Sequence, residues 1–224
     1  MHPPLLFENI GMELIYSFVI IVCSLMIYFG TKNLYELSSY RGIKYFRQAF
    51  LFFAIAYFFR SAIKFLMILF DRAIFDFSPR FLGVVTLFLF MYFSSMAVFY
   101  LLYSVMWKRW DGSSKKIYFF HLLAFVISFL TIASRRIEFH LALNLLLLVF
   151  VGIITYTSYK NTKDRKKGRQ LYTIYFLLFI FWVLNIFDIV VPSFFSTFKL
   201  LVYLVSLAIF MLILYKVLRK AGLG

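Results

Sequence analysis

Arg60 and Lys64 stand one helical turn apart inside the apolar stretch Ala49 to Phe70. A charge at the centre of a membrane helix costs about 2.5–3.5 kcal/mol on insertion scales. Residues placed there usually face a partner, a cavity or a pathway. Asp188 is the acid embedded in a later apolar run, and Asn185 lies one turn before it. Glu13 enters the first apolar run. These residues point to a buried polar site that holds an anionic or zwitterionic ligand, or to a two-state charge latch. A structural ion pair between helices is the plainer alternative, with Lys64 and Glu13 reaching to the interface.

The elements that carry these residues are set by composition. The 224 residues are 64% hydrophobic and 23% aromatic, whereas a soluble domain is about 45–50% apolar. A core of this length cannot hide so much apolar surface, so lipid is the expected solvent. The expected fold is all-α, a polytopic bundle of seven transmembrane helices in a single domain. The spans fall near residues 11–30, 46–70, 81–106, 117–132, 141–159, 171–191 and 198–215, the fourth being short.

Charge orients them. Alternate loops hold Lys32, Arg41, Lys44 and Arg47, then Lys108, Arg109, Lys115 and Lys116, then Lys160, Lys163, Arg165, Lys166, Lys167 and Arg169, then Lys216, Arg219 and Lys220. The opposite side holds only Arg72, Arg80, Arg135, Arg136 and Lys199. Positive charge favours the cytoplasmic side, which puts the N-terminus outside and the C-terminus inside. Arg60, Lys64, Asn185, Asp188 and Glu13 then all fall in the outer half. The net charge of +15 would suggest nucleic acid in a soluble protein. Here it is topogenic, and no nucleic-acid partner is expected. The lipid bilayer is the expected surroundings, in a multi-pass cell-membrane protein. The run Lys160 to Arg169 also suits anionic lipid or a cytoplasmic protein. Trp107 and Trp110 suit interfacial anchoring.

Two ends of the chain echo each other. Tyr28 to Asn33 resembles Tyr156 to Asn161, Arg47-Gln48 resembles Arg169-Gln170, and Phe99 to Arg109 resembles Phe210 to Lys220. Helices one to three would match five to seven, with helix four as a linker. Duplication and chance likeness between lysine-capped apolar helices both stay open. The three-plus-one-plus-three plan resembles, in topology only, that of sugar-transporting PQ-loop proteins and of seven-helix opsins. The PQ dipeptide and in-span prolines of the former are absent.

No pattern supports catalysis. Lys199 is at the outer edge of the last span, so it does not match an opsin's mid-helix lysine. The three histidines are scattered, which argues against a zinc hydrolase. An intramembrane aspartyl protease needs two facing aspartates. Neither cofactor nor metal is expected, and Cys23, the single cysteine, suits a buried structural thiol. The leading expectation is a receptor-like or sensory seven-helix protein that lacks an output domain of its own. The alternatives are a small-molecule transporter of the three-plus-one-plus-three plan and a structural membrane subunit.

Overall fold

The computed structural model describes residues 4–70, 79–110, 115–134, 136–162, 169–191 and 196–222. Lys163, Arg165, Lys166, Lys167, Arg72, Arg135 and Pro192 lie outside them, and so does the side chain of Lys64. Among the described residues every regular element is a helix: α1 Pro4–Gly30, α2 Lys32–Ser38, α3 Arg41–Phe70, α4 Pro79–Met106, α5 Lys115–Ser134, α6 Ile137–Thr162, α7 Arg169–Val190 and α8 Ser196–Ala221. A chain this apolar must satisfy its backbone polar groups internally, and helices do so within each segment. Pro4 and Pro79 each occupy the first position of a helix, where the missing N–H costs nothing.

Among the described residues, six helical stretches are long and apolar enough to cross a membrane. They comprise α1 together with α2, and then α4 to α8. Helix α3 has 30 residues, a length of about 45 Å at 1.5 Å per residue. It carries Arg60 and Lys64. Large apolar side chains face outward along the bundle: Phe18 is 65% exposed, Phe29 63% and Val149 59%. Patches of that size are a liability in water and the ordinary surface of a protein in lipid. The chain is a multi-pass helical membrane protein.

Helices run past the apolar runs at their basic ends. Helix α8 continues through Lys216, Arg219 and Lys220 to Ala221, since a helix remains the cheapest way to satisfy its backbone where the membrane ends. The segment around α5 forms a full 20-residue helix, longer than the short span expected there. Trp107 and Trp110 pack on neighbouring rings. Trp107 packs edge-on against Tyr40 at 5.1 Å, and Trp110 lies 5.6 Å from both Tyr103 and Phe120.

The helices close into a ring. Helix α1 packs on α3, α3 on α4, α4 on α6, α6 on α7, α7 on α8, and α8 back on α1. Helix α5 packs chiefly on α4 and only lightly on α6, outside that circuit. Helices α3 and α7 thus face each other across the middle, where they meet through long side chains. The α3 residues that point inward are Phe46, Phe50, Phe53, Tyr57 and Arg60, spaced alternately by four and three. This is the period of a helix seam. Phe50, Phe181 and Phe210 are completely buried. Phe53 meets Phe181 at 6.5 Å and Phe210 at 6.4 Å, while Phe181 and Phe210 lie 5.0 Å apart. These separations suit edge-to-face packing of rings.

At the basic end the chain turns sharply from α2 into α3. Ser39 takes a left-handed conformation with φ of 49°, and its N–H closes α2 on Tyr35 O at 2.8 Å. Gly42 then lets α3 approach the end of α4. A Cβ there would come within 2.9 Å of the Ser104 carbonyl oxygen and 2.5 Å of the Tyr40 ring. Overpacking of this kind costs about 1–3 kcal/mol. Gly42→Ala should therefore lower the thermal midpoint of the protein in detergent or nanodiscs. Gly152→Ala should leave it unchanged, since the contact there is an ordinary 3.7 Å.

Candidate functional site

Two layers of the α3–α7 face are polar or charged, and both lie toward the end remote from the basic loops. The deeper is Tyr57, whose hydroxyl donates to Asn185 Oδ1 at 2.8 Å. One turn further, Arg60 Nη2 donates to Asp188 Oδ2 at 2.6 Å. Phe53 and Phe181 form the layer below. All three pairs share one sequence separation, 128 residues for the two hydrogen-bonded pairs. A constant separation over successive turns means that α3 and α7 run parallel and in register.

The pair is well enclosed, with side-chain exposures of 17% for Arg60 and 10% for Asp188. At close range in a poorly screened interior the attraction is strong, and so is the penalty for leaving either ion alone. Aromatic rings supply the remaining solvation. The Arg60 guanidinium lies 5.7 Å from the Tyr57 ring, 5.8 Å from Phe90 and 5.9 Å from Tyr16, within range of cation–π attraction. Asn185 also donates through Nδ2 to the Phe181 carbonyl at 2.9 Å. Its amide is thus fixed with the oxygen toward Tyr57.

Tyrosines of α1 and α8 extend the network. Tyr16 stacks on Tyr203 at 4.8 Å and meets Tyr57 edge-on at 5.8 Å, with the Tyr16 and Tyr57 hydroxyls 3.4 Å apart. Tyr203 donates to Glu13 Oε1 at 2.9 Å. Asp188 Oδ1 is buried with no hydrogen-bond partner among the described residues. The Tyr203 hydroxyl also lies against this carboxylate.

Of the residues singled out in the sequence, Arg60 and Asp188 are in direct contact. Asn185 joins them through Tyr57, and Glu13 belongs to the same cluster through Tyr203. Lys64 lies in α3 one turn beyond Arg60, its side chain outside the described part. Tyr16, Tyr57 and Tyr203 were missed, because with 16 tyrosines in the chain no single one stands out. One signal was available: Tyr57 precedes Arg60 by three, as Asn185 precedes Asp188 by three.

The other polar residues have local roles. His121 bonds Tyr92 at 2.7 Å. His140 lies with Asn144 on α6, and Asn144 Nδ2 donates to the His140 carbonyl at 2.9 Å. Trp182 Nε1 donates to the Asn144 carbonyl at 3.3 Å, tying α7 to α6. Thr86 bonds back to Leu82 O. Cys23 is buried, with its thiol 3.7 Å from Met211 Sδ.

The chain is 31% identical to an uncharacterized protein of Archaeoglobus fulgidus over 228 residues, covering 97% of this chain and 95% of that protein. This chain belongs to the same family. No family model matches the chain, and no solved structure does.

The network makes a clear energetic prediction. Asp188→Ala leaves the buried Arg60 unpaired and should cost about 3–5 kcal/mol. The double variant Arg60→Met with Asp188→Leu should recover most of that loss. Tyr57→Phe removes one hydrogen bond between helices and should cost about 0.6 kcal/mol, the usual membrane value. Unfolding in mixed micelles of denaturing and non-denaturing detergent measures all three.

Proposed function

We propose that this protein is a receptor-like, seven-span membrane protein in which Arg60 and Asp188 form a two-state latch between α3 and α7. In this reading α3 is the seventh span, the N-terminus is outside and the latch lies in the outer half. The observation that carries it is the 2.6 Å pair bridging two helices that face each other across the ring. Beside it stands the buried Asp188 Oδ1, with the Tyr203 hydroxyl against the same carboxylate. A zwitterionic or anionic ligand that competes for Arg60, or supplies a donor to Asp188, would favour the parted state. A ligand shifts such an equilibrium only by its differential affinity for the two states.

The aromatic middle supports signalling over passage. Completely buried Phe50, Phe181 and Phe210 occupy the depth where transporters hold their substrates. The transport reading draws its support from the ring order. Helices α1, α3 and α4 follow one another round the ring as α6, α7 and α8 do, with α5 outside, as a three-plus-one-plus-three plan requires. Net solute uptake by vesicles containing the protein would decide for transport.

The latch is tested by distance. Spin labels at Phe65→Cys and Val190→Cys, in a Cys23→Ala background, sit on exposed faces of α3 and α7 near the pair. Asp188→Asn should lengthen and broaden the distance between them in nanodiscs. An unchanged distribution in a folded protein would make the pair a brace and remove the latch.

Orientation has its own test. A membrane-impermeant maleimide added to intact cells should label Arg136→Cys and spare Leu37→Cys, which is on α2 at the basic end. The reverse pattern would invert the topology.

A further inference from the structure

A cavity lies far from the latch, at the basic end of the ring. It measures about 350 Å³ and is lined by α2, α3, α4, α6, α7 and α8 and by Thr31 between α1 and α2. That volume is at the small end of ligand pockets, which run from about 300 to 1,000 Å³. Its walls are of two kinds. Phe46, Ile174 and Val217 give it apolar sides. Ser104, Asn161, Tyr175 and Lys220 add polar groups, and no carboxylate of the described residues lines it.

The hydroxyl pair within it can change its hydrogen bonds to suit a guest. Ser104 Oγ donates to the Leu101 carbonyl at 2.7 Å and lies 2.9 Å from the Tyr175 hydroxyl. In that state Tyr175 must donate to Ser104. If an acceptor enters, Tyr175 can turn its hydrogen to it while Ser104 donates to Tyr175, so the pair stays connected at the loss of one local bond. Tyr175 is itself buried, at 2% exposure. A donor held this way in a dry wall is worth more than one at the surface. Lys220 is on α8 at the exposed rim, one turn beyond the buried Val217. It adds an ammonium group where none of the described lining residues is acidic.

We infer that this cavity is a binding site for a small amphipathic anion. Its carboxylate or phosphate group is held by Lys220 with Asn161 and Tyr175, and its apolar body lies against Phe46, Ile174 and Val217. The inference does not depend on the latch. The anion can arrive dissolved, from the basic side, or as the headgroup of a lipid at the membrane interface. The recognising chemistry is the same for both. The volume excludes a whole phospholipid, so a lipid could insert only its head.

Titration calorimetry on the full chain in phosphatidylcholine nanodiscs tests it, with phenyl phosphate, phenylacetate, inorganic phosphate and phenyltrimethylammonium as probes. Phenyl phosphate or phenylacetate should bind, inorganic phosphate at least tenfold more weakly, and the cation not at all. Lys220→Gln should weaken binding about tenfold or more, as expected for a hydrogen bond to a charged group. Tyr175→Phe should weaken it several-fold while leaving the thermal midpoint without ligand near that of the parent. Lys32→Gln is the control: Lys32 is exposed and paired with Glu36 at 3.8 Å, so it should change nothing. Repeating the titration with phosphatidylglycerol in the nanodisc separates the two sources. Competition in the parent that vanishes in Lys220→Gln identifies a lipid headgroup, and an unaltered affinity identifies a dissolved ligand. Failure of both aromatic anions to bind would overturn the inference, as would equal losses in Lys220→Gln and Lys32→Gln, or binding of the cation.

Discussion

A guanidinium buried among helices must be answered from within the protein, and the arrangement of this bundle follows from how Arg60 is answered. Arg60 lies nineteen residues into α3, about 28 Å along the helix at 1.5 Å per residue. Its partner Asp188 is near the far end of α7. The two can meet only if α3 and α7 face each other, run parallel and keep one register. Once they do, Tyr57 falls opposite Asn185 and Phe53 opposite Phe181. The polar contacts set the alignment, and the phenyl layers below them fill the space it creates. Packing of bulky rings then takes the place of the close backbone approach that small residues allow in other membrane bundles. Gly42 is the local exception, where α3 enters against α4.

Much of the fold can be read from the sequence because lipid imposes so few choices. Long apolar runs in a membrane become helices, and the positions of the runs follow directly from hydropathy. The contact between Arg60 and Asp188 is legible for a related reason, that a charge amid apolar neighbours needs its complement. Partners that are cheap to satisfy leave no such trace. Glu13 could have faced the interface or Arg60, and nothing in its spacing singles out Tyr203. Gly42 reads as an interruption of a basic loop, yet its lack of a side chain lets two helix ends touch. Trp107 reads as an anchor in headgroups, whereas the nearby turn brings Tyr40 onto its ring.

The cavity was illegible for a different reason. Each of its walls comes from a separate helix end, so no contiguous stretch of chain carries its pattern. Lys220 looks like one more topogenic lysine beside Lys216 and Arg219. Ser104 and Tyr175 are 71 residues apart. Only the closure of the ring brings them together, and ring closure is decided by packing between helices rather than by the hydropathy of any one of them.

The phenyl column between the two ends has an electrical meaning. Protons travel along hydroxyls, amides and water that are within hydrogen-bonding distance of one another, and rings with no accessible surface offer none of these. Ions fare worse, because they would shed their hydration against hydrocarbon. The stacked layers of Phe50, Phe53, Phe181 and Phe210 therefore act as a dielectric plug. A membrane voltage is worth about 2.3 kcal/mol per elementary charge for each 100 mV, so a sealed apolar stretch between two polar ends has weight. The Arg60–Asp188 dipole sits on one side of that stretch and Lys220 on the other. The bundle can carry charged groups at both faces without short-circuiting the gradient on which its cell depends.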